Sequence, residues 1–207
     1  VDLLLKMKED PRGMPNLSPR LGERVRTNSE SLLGVSTLGE PDHSKGVAIG
    51  SVMHVDDRTS LETVRYPAGS GLFRLLMAPH GQGSNGVKRF LNVCAQLLRQ
   101  PLRWLRAYAV RDWAKQTVIL LYMQSEEETM HLRRSRLSGM QTVVKSGRGP
   151  TAYMPGAADL SRRMAARLGG VVGCLLPEPL FARPTTAHIL GGCAMGADAA
   201  SGVIDAD

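Results

Sequence analysis

The 207-residue chain has 43% apolar residues, 4% aromatic residues and a formal net charge of +7. This composition indicates a globular chain, long enough for one sizeable core or for two pieces of a larger one. A positive charge favours anionic surfaces, but nucleic-acid sites also need basic motifs and aromatic platforms. Because those are lacking, the sequence argues against a nucleic-acid partner.

Metal and disulfide chemistry are not favoured either. The three cysteines, Cys94, Cys174 and Cys193, are an odd number without CxxC spacing, so we expect reduced core residues. The acidic groups at residues 126–128 and 54–57 lack the spacing and the second cluster of a metal site. The sequence therefore predicts no bound metal.

The two ends of the chain carry no targeting signal. No run approaches the roughly 20 apolar residues that cross a bilayer, and no leader precedes a cleavage site. The chain opens on Val1 inside an amphipathic segment and closes at Asp207 without a terminating element. We therefore expect both ends to be internal to a longer protein, which leaves the compartment unassigned, with a preference for the cytoplasm.

The first elements are a helix and a capping motif. Asp2 to Lys8 predicts a helix that Pro11 stops. Thr27-Asn28-Ser29-Glu30 matches a capping box and predicts a helix start. This structural role competes with a role in a functional site for Asn28.

Two strands and a glycine-rich loop come next. Residues 47–55 alternate in polarity, and residues 61–66 follow a turn, so an antiparallel pair is predicted. Gly81-Gln82-Gly83-Ser84-Asn85-Gly86 satisfies the spacing of a dinucleotide-binding turn. Pro79 and His80 stand where that motif needs a buried strand, and no acidic residue follows at the required distance. We interpret it as a loop, which argues against a nicotinamide-dependent dehydrogenase.

A basic stretch then runs from Val87 to Lys115. Cationic and apolar residues alternate along it, and Pro101 predicts a division into two helices. Such a helix either covers a sheet with a solvated face or lies on an anionic membrane surface. Both interpretations stay open, and the second would suit an enzyme that collects a lipid-like alcohol.

The second half of the chain predicts more strands and one covering helix. Thr117 to Met123 is a continuous branched run typical of a central strand, and Met130 to Leu137 and Gln141 to Lys145 predict its successors. Ala157 to Leu168 predicts a helix that Gly169 ends. A further strand is predicted at residues 171–176.

A lone histidine opens a second glycine-rich turn, in Thr186-Ala187-His188-Ile189-Leu190-Gly191-Gly192-Cys193-Ala194-Met195-Gly196. An imidazole here can take a proton, and a backbone without side chains lets a flat cofactor approach. The simpler interpretation is a turn residue.

This segment, with Asp198-Ala199-Ala200-Ser201-Gly202-Val203-Ile204-Asp205, resembles the C-terminal motif of glucose-methanol-choline oxidoreductases, flavoproteins that oxidise alcohols. Residues 21–30 lie where that family carries a Gly-x-Asn-Leu-x-Asp-His element. Their wording resembles the bacterial branch that includes cholesterol-oxidase-like enzymes.

The resemblance implies an α+β fold, in which helices cover a largely antiparallel substrate-domain sheet beside segments of an incomplete FAD-binding α/β domain. Residues 1–40 and 184–207 would belong to the FAD-binding domain, and residues 41–183 to the substrate-binding domain. The family's flavin fingerprint lies outside this sequence. We therefore expect a C-terminal-side portion of a longer enzyme, inactive without the missing flavin-domain half.

The resemblance also implies the chemistry. FAD would be the cofactor, and the substrate would be an alcohol, either a sterol or another lipid-like alcohol. His188 would be the catalytic base, and Asn28, Gly191 and Gly192 would contact the cofactor; a second catalytic His or Asn would lie beyond Asp207. The alternative from another class is a non-catalytic substrate-binding or membrane-associated module, which would not need the intact His188 turn.

Overall fold

Turn residues cut this chain into short strands and helices. The computed structural model describes residues 1–39, 42–83, 85–126, 129–135, 137–144, 149–151, 153–181 and 184–205. In those residues the strands are β1 (Arg26–Thr27), β2 (Glu30–Ser36), β3 (Ile49–Asp56), β4 (Thr59–Val64), β5 (Met77–Pro79), β6 (Thr117–Gln124), β7 (Met130–Ser135), β8 (Gly139–Val144), β9 (Val171–Leu175) and β10 (Ile189–Leu190). The helices are α1 (Asp2–Glu9), α2 (Gly86–Arg99), α3 (Pro101–Ala109), α4 (Trp113–Gln116), α5 (Pro155–Leu168) and α6 (Pro177–Phe181), with a 3₁₀ helix at Gly71–Leu76.

These elements form two units. The terminal unit comprises Val1–Asn28, Glu126–Gly149 and Ala187–Asp207. The sheet unit comprises Ser29–Ser125 and Pro150–Thr186. The predicted flavin-domain and substrate-domain roles, with their boundaries at residues 40 and 183, stay predictions.

One antiparallel sheet of six strands organises the sheet unit, in the order β3-β4-β6-β2-β9-β5. Residues 117–122 of β6 are buried, and the strand lies between β4 and β2. A continuous run of apolar, branched residues suits such a central strand. The predicted central strand, the predicted β3–β4 pair and the α+β fold class are thereby confirmed.

Helix α5 covers one face of this sheet. Val35 on β2, Leu120 on β6 and Ala165 on α5 belong to one buried apolar cluster. Pro155 stands in the first turn of the helix, where its missing N–H is not needed. Gly169 ends it with a left-handed φ of 65°. The predicted covering helix is confirmed.

The basic stretch forms α2 and α3, and Pro101 begins the second helix, as predicted. Most of its cations are exposed, but Arg89 is buried. The Arg89 Nε atom donates a hydrogen bond of 3.0 Å to the carbonyl oxygen of Gly83. This cation therefore faces the interior of the sheet unit instead of solvent.

The capping-box prediction is wrong, because the segment holds strands. Thr27 ends β1 and Glu30 begins β2, with Ser29 between them at a φ of 42°. Strand β2 pairs with β6 on one side and β9 on the other. These pairings join residues far apart in sequence, so a local capping motif does not report them.

The glycine-rich loop is correctly predicted as a loop, but one argument for it is wrong. A short buried strand, β5, precedes it, and α2 begins at Gly86. Strand β5 pairs antiparallel with β9, whereas a dinucleotide-binding turn follows a parallel strand of a βαβ unit. The antiparallel topology, and not the lack of a strand, therefore distinguishes this loop from a dinucleotide-binding turn. Ser84, within the loop, lies outside the described residues.

In the terminal unit, residues 22–27 lie between two other segments. Leu132 N–H donates to the carbonyl oxygen of Gly22 at 2.8 Å, and Val25 exchanges bonds with Met130 at 2.9 and 2.8 Å. On the other side, β1 pairs with β10. Strands β7 and β8 form an antiparallel hairpin, which confirms the two predicted strands, although Arg136 and Lys145 lie outside the described residues.

None of the helices in the described ranges has the length and apolarity that crossing a membrane requires.

Candidate functional site

Two predicted site residues, Asn28 and His188, adjoin the β1–β10 ladder of the terminal unit. The antiparallel register pairs Arg26 with Leu190 and Thr27 with Ile189. Asn28 directly follows the first strand, and His188 directly precedes the second. Residues from opposite ends of the chain therefore face one another across this ladder.

The two predicted site residues differ in their exposure. The imidazole of His188 belongs to an exposed residue, whereas Asn28 is half-buried. Two apolar side chains follow His188 and stay open to solvent, Ile189 at 63% and Leu190 at 75% relative exposure. The His188 imidazole is therefore next in sequence to exposed apolar side chains.

Glycines 191 and 192 hold the turn that follows. Gly191 has a φ of 95°, and a Cβ there would overlap the carbonyl oxygen of Arg24. Gly192 has a φ of 82°, and its Cβ would lie 2.9 Å from Val1 Cγ2. Packing within the chain thus requires both glycines, independently of any cofactor, and their cofactor contact stays a prediction.

Backbone hydrogen bonds fix this turn to residues 22–24. Gly22 N–H donates to the carbonyl oxygen of Gly192 at 2.7 Å, and Gly192 N–H donates to the carbonyl oxygen of Glu23 at 3.1 Å. Backbone bonds of this kind restrain both segments. The turn that follows His188 is therefore restrained by residues from the N-terminal part of the sequence.

The motif after Gly192 is also tied down. Asp198 Oδ1 accepts bonds from the backbone of Ala200 and from the backbone and hydroxyl of Ser201. These bonds lower the pKa of the Asp198 carboxyl, with the Ser201 hydroxyl as the largest cause. Ser18 Oγ donates to the carbonyl oxygen of Ala199 at 2.7 Å. The stretch from Asp198, which resembles the family's C-terminal motif, is thus a loop held by hydrogen bonds.

A metal centre finds no support in the described residues, where no group of three His, Cys, Asp or Glu residues could hold an ion. Of the acidic triplet, Glu127 and Glu128 lie outside those residues. The three cysteines are free, as predicted, but Cys174 is buried whereas Cys94 and Cys193 are only partly buried.

Sequence reasoning missed a group of buried polar residues in the sheet unit. Glu178 on α6 is 3% exposed, and burial raises its pKa to about 7. Thr185 Oγ1 donates to its Oε1 at 2.7 Å. Among the described residues nothing bonds Glu178 Oε2 or Arg89 Nη1. The sequence Pro177-Glu178-Pro179 did not indicate this burial, since burial of an acid leaves no local signal.

His80 is the second residue that was missed. It is buried, and its ring stacks on Tyr153 at 6.0 Å between centroids. Burial lowers the pKa of His80 to about 4, and the charges of Arg89 and Arg162 add to this effect. The imidazole is therefore neutral at pH 7.

Comparison with known proteins gave no matching family model. The chain is 36% identical over 208 residues to a cholesterol oxidase of Acinetobacter baumannii, with 99% of this chain aligned. It is 39% identical over 216 residues to cholesterol oxidases of two Mycobacterium tuberculosis strains, CDC 1551/Oshkosh and ATCC 25618/H37Rv, with 98% aligned. In each case the chain spans 37% of the relative's length. The chain is therefore homologous to a portion of the cholesterol oxidases, which confirms the predicted resemblance to the glucose-methanol-choline oxidoreductases.

Proposed function

We propose that this chain is part of an FAD-dependent enzyme that oxidises the CH–OH group of an alcohol, with a sterol as the substrate class. The observation that carries the proposal is the place of His188, which is exposed and directly precedes β10, the strand that pairs with β1. The relatives are cholesterol oxidases, which supports the sterol class.

The residues of the site fit such a reaction. When bound, FAD supplies an acceptor for the hydride that leaves the carbinol carbon. His188 accepts the hydroxyl proton on a ring nitrogen, so that the oxygen can form the carbonyl bond as the hydride departs. Histidine suits this step because it exchanges protons near neutral pH.

Cofactor contact is assigned to Asn28, Gly191 and Gly192. The exposed side chains of Ile189 and Leu190 offer an apolar surface next to His188, which suits a flat aromatic ring. Asn28, half-buried and directly after β1, is assigned to the same contact on the strength of the family resemblance.

The test compares His188→Gln with His54→Gln in the intact protein. Glutamine keeps hydrogen-bonding capacity but cannot act as a base, so we expect turnover of cholesterol to fall by roughly 10²–10⁴-fold with flavin content unchanged. His54 is exposed on β3 and serves as the matched control. An unchanged rate in His188→Gln would overturn the proposal and favour a non-catalytic module.

A second measurement concerns the 207-residue chain by itself. We expect no sustained alcohol oxidation after incubation with FAD, since the chain spans 37% of its relatives' length. A colourless protein after desalting agrees with this expectation. Sustained turnover would contradict it.

We also propose a contact between α2–α3 and an anionic membrane surface. Apolar residues stay exposed on both helices, among them Leu98 at 81% and Leu102 at 69%. Exposed cations stand beside them at Lys88, Arg99 and Arg106. We call this set the basic-apolar surface; its apolar members are Val87, Phe90, Leu91, Leu98, Leu102 and Leu105.

Because this surface combines exposed leucines with arginines, its contact with an anionic membrane is favoured over exposure to bulk water. Apolar side chains enter the acyl boundary while cations remain at the anionic headgroups. Such a contact would bring the enzyme to a lipid-like substrate. The solvated alternative predicts no affinity for vesicles.

A further inference from the structure

A cavity of about 450 Å³ lies within the sheet unit, beside strand β9. Helices α2, α3 and α5 form its walls, and Gly170 to Val172 form part of its floor. Its volume falls in the range of small-molecule sites. All of its described lining residues belong to the sheet unit, whereas the β1–β10 ladder belongs to the terminal unit.

A hydrogen-bond network fixes the polar wall. Asn92 Oδ1 accepts from Gln82 N–H at 3.1 Å and from Gln96 Nε2 at 2.7 Å. The same Gln96 Nε2 donates to the carbonyl oxygen of His80 at 2.8 Å. Both protons of this amide are therefore used, and the orientations of both side chains are set.

The network presents a donor and an acceptor to the cavity. Within the described part of the chain, no hydrogen bond engages Asn92 Nδ2 or Gln96 Oε1, and both side chains line the cavity. A hydroxyl group both donates and accepts, so it matches this pair. The wall therefore favours a hydroxylated ligand over a hydrocarbon.

The charged groups of the lining are cationic. Arg103 and Arg162 line the cavity, and no carboxylate does so among the described residues. Arg103 Nη2 donates to the carbonyl oxygens of Gly169 and Gly170 at 3.0 and 2.9 Å, which holds its charge in place. Arg162 also contacts Asp159 at 3.3 Å, outside the lining. Two arginines and no carboxylate in the described lining favour an anion, although Asp159 offsets part of the Arg162 charge.

The pKa of His80 responds to the positive charge near the cavity. His80 lines the cavity, and burial together with Arg89 and Arg162 keeps its pKa low. An anion held beside Arg162 would offset the cationic field at the imidazole. Buried Trp104 adds apolar surface to the lining.

We propose that this cavity binds a small organic anion that also carries hydroxyl groups, such as a phosphorylated polyol. The guanidinium groups hold the anionic end, and Asn92 with Gln96 recognises a hydroxyl. This site does not depend on the proposed oxidation, so its test does not use alcohol turnover.

The test is calorimetric titration of the intact protein with glycerol 3-phosphate, inorganic phosphate and glycerol. We expect the phosphate ester to bind more tightly than inorganic phosphate, and glycerol not to bind. Asn92→Asp keeps the accepting oxygens of the network and adds a negative charge, so it should weaken binding by about tenfold or more. Arg162→Met should weaken it, whereas Arg167→Met, on α5 outside the lining, should not.

A second readout locates the ligand. Nuclear magnetic resonance of the His80 imidazole should show its pKa rising when glycerol 3-phosphate binds, because an anion stabilises the protonated ring. Competition by phosphatidylglycerol vesicles would identify a lipid headgroup as the source, and no competition a free ester. No binding at millimolar concentration, or binding that Asn92→Asp leaves unchanged, overturns the proposal.

Discussion

Gly191 lies against the carbonyl oxygen of Arg24, so closely that a Cβ at position 191 would overlap that oxygen. The contact joins the turn after His188 to the segment before Asn28. The two predicted site residues therefore depend on a backbone approach that only glycine permits.

Gly191→Ala tests this approach. The φ of 95° is unfavourable for alanine, and the overlap with Arg24 adds to it, so we expect a loss of at least about 2 kcal/mol in the free energy of unfolding. Gly69→Ala is the matched control, since Gly69 also has a φ of 95° but has no atom within 4 Å of its Cβ position. We expect about 1 kcal/mol for the control from backbone strain alone. Equal losses in thermal denaturation would show that the Arg24 contact is unimportant.

Glu178→Gln tests the buried carboxyl. Its folded pKa of about 7 lies above the ordinary value of 4.5, so the folded protein binds an extra proton between these values. Stability is therefore lost as the pH rises from about 4.5 through 7, by about 3 kcal/mol in total. Glutamine removes this loss while its Oε1 can still accept from Thr185.

The measurement is urea unfolding of both proteins at pH 4 and pH 8. We expect Glu178→Gln to be more stable than wild type at pH 8 and similar at pH 4. Glu126→Gln, at an exposed position, controls for removal of one negative charge. A variant without any gain at pH 8 would mean that Glu178 has an ionic partner in the intact protein.

The basic-apolar surface predicts binding to vesicles. Leu98→Ser and Leu102→Ser together should reduce co-sedimentation with phosphatidylglycerol vesicles by roughly tenfold, because each exposed leucine loses its transfer to the acyl boundary. Leu72→Ser is the control, since Leu72 is 77% exposed but lies on the 3₁₀ helix. High salt should also weaken binding. Equal sedimentation of wild type and double variant would support the solvated interpretation.

Local patterns predicted the sheet unit well. Alternation predicted the β3–β4 pair, branched residues predicted β6, and glycine predicted the end of α5 at Gly169. These signals are strong because each arises from residues close in sequence.

Non-local contacts explain what was missed. The capping motif at Thr27 predicted a helix start where the structure has β2. The two neighbours of this strand, β6 and β9, lie far along the chain. Burial of His80 and Glu178 also depends on distant elements and leaves no periodic signal. For the candidate site, the family resemblance predicted His188, but only the structure shows that the residues after it pair with the strand before Asn28.

The pairing of β1 with β10 has a consequence for biosynthesis. Arg26 and Thr27 leave the ribosome long before Ile189 and Leu190, their partners in the ladder. All six strands of the large sheet, ending with β9, are translated before β10. Because a domain's non-local pairs form only once both segments exist, the neighbourhood of His188 is completed after the sheet that precedes it. A nascent chain released before residue 189 would carry a finished sheet and no ladder beside its catalytic candidate.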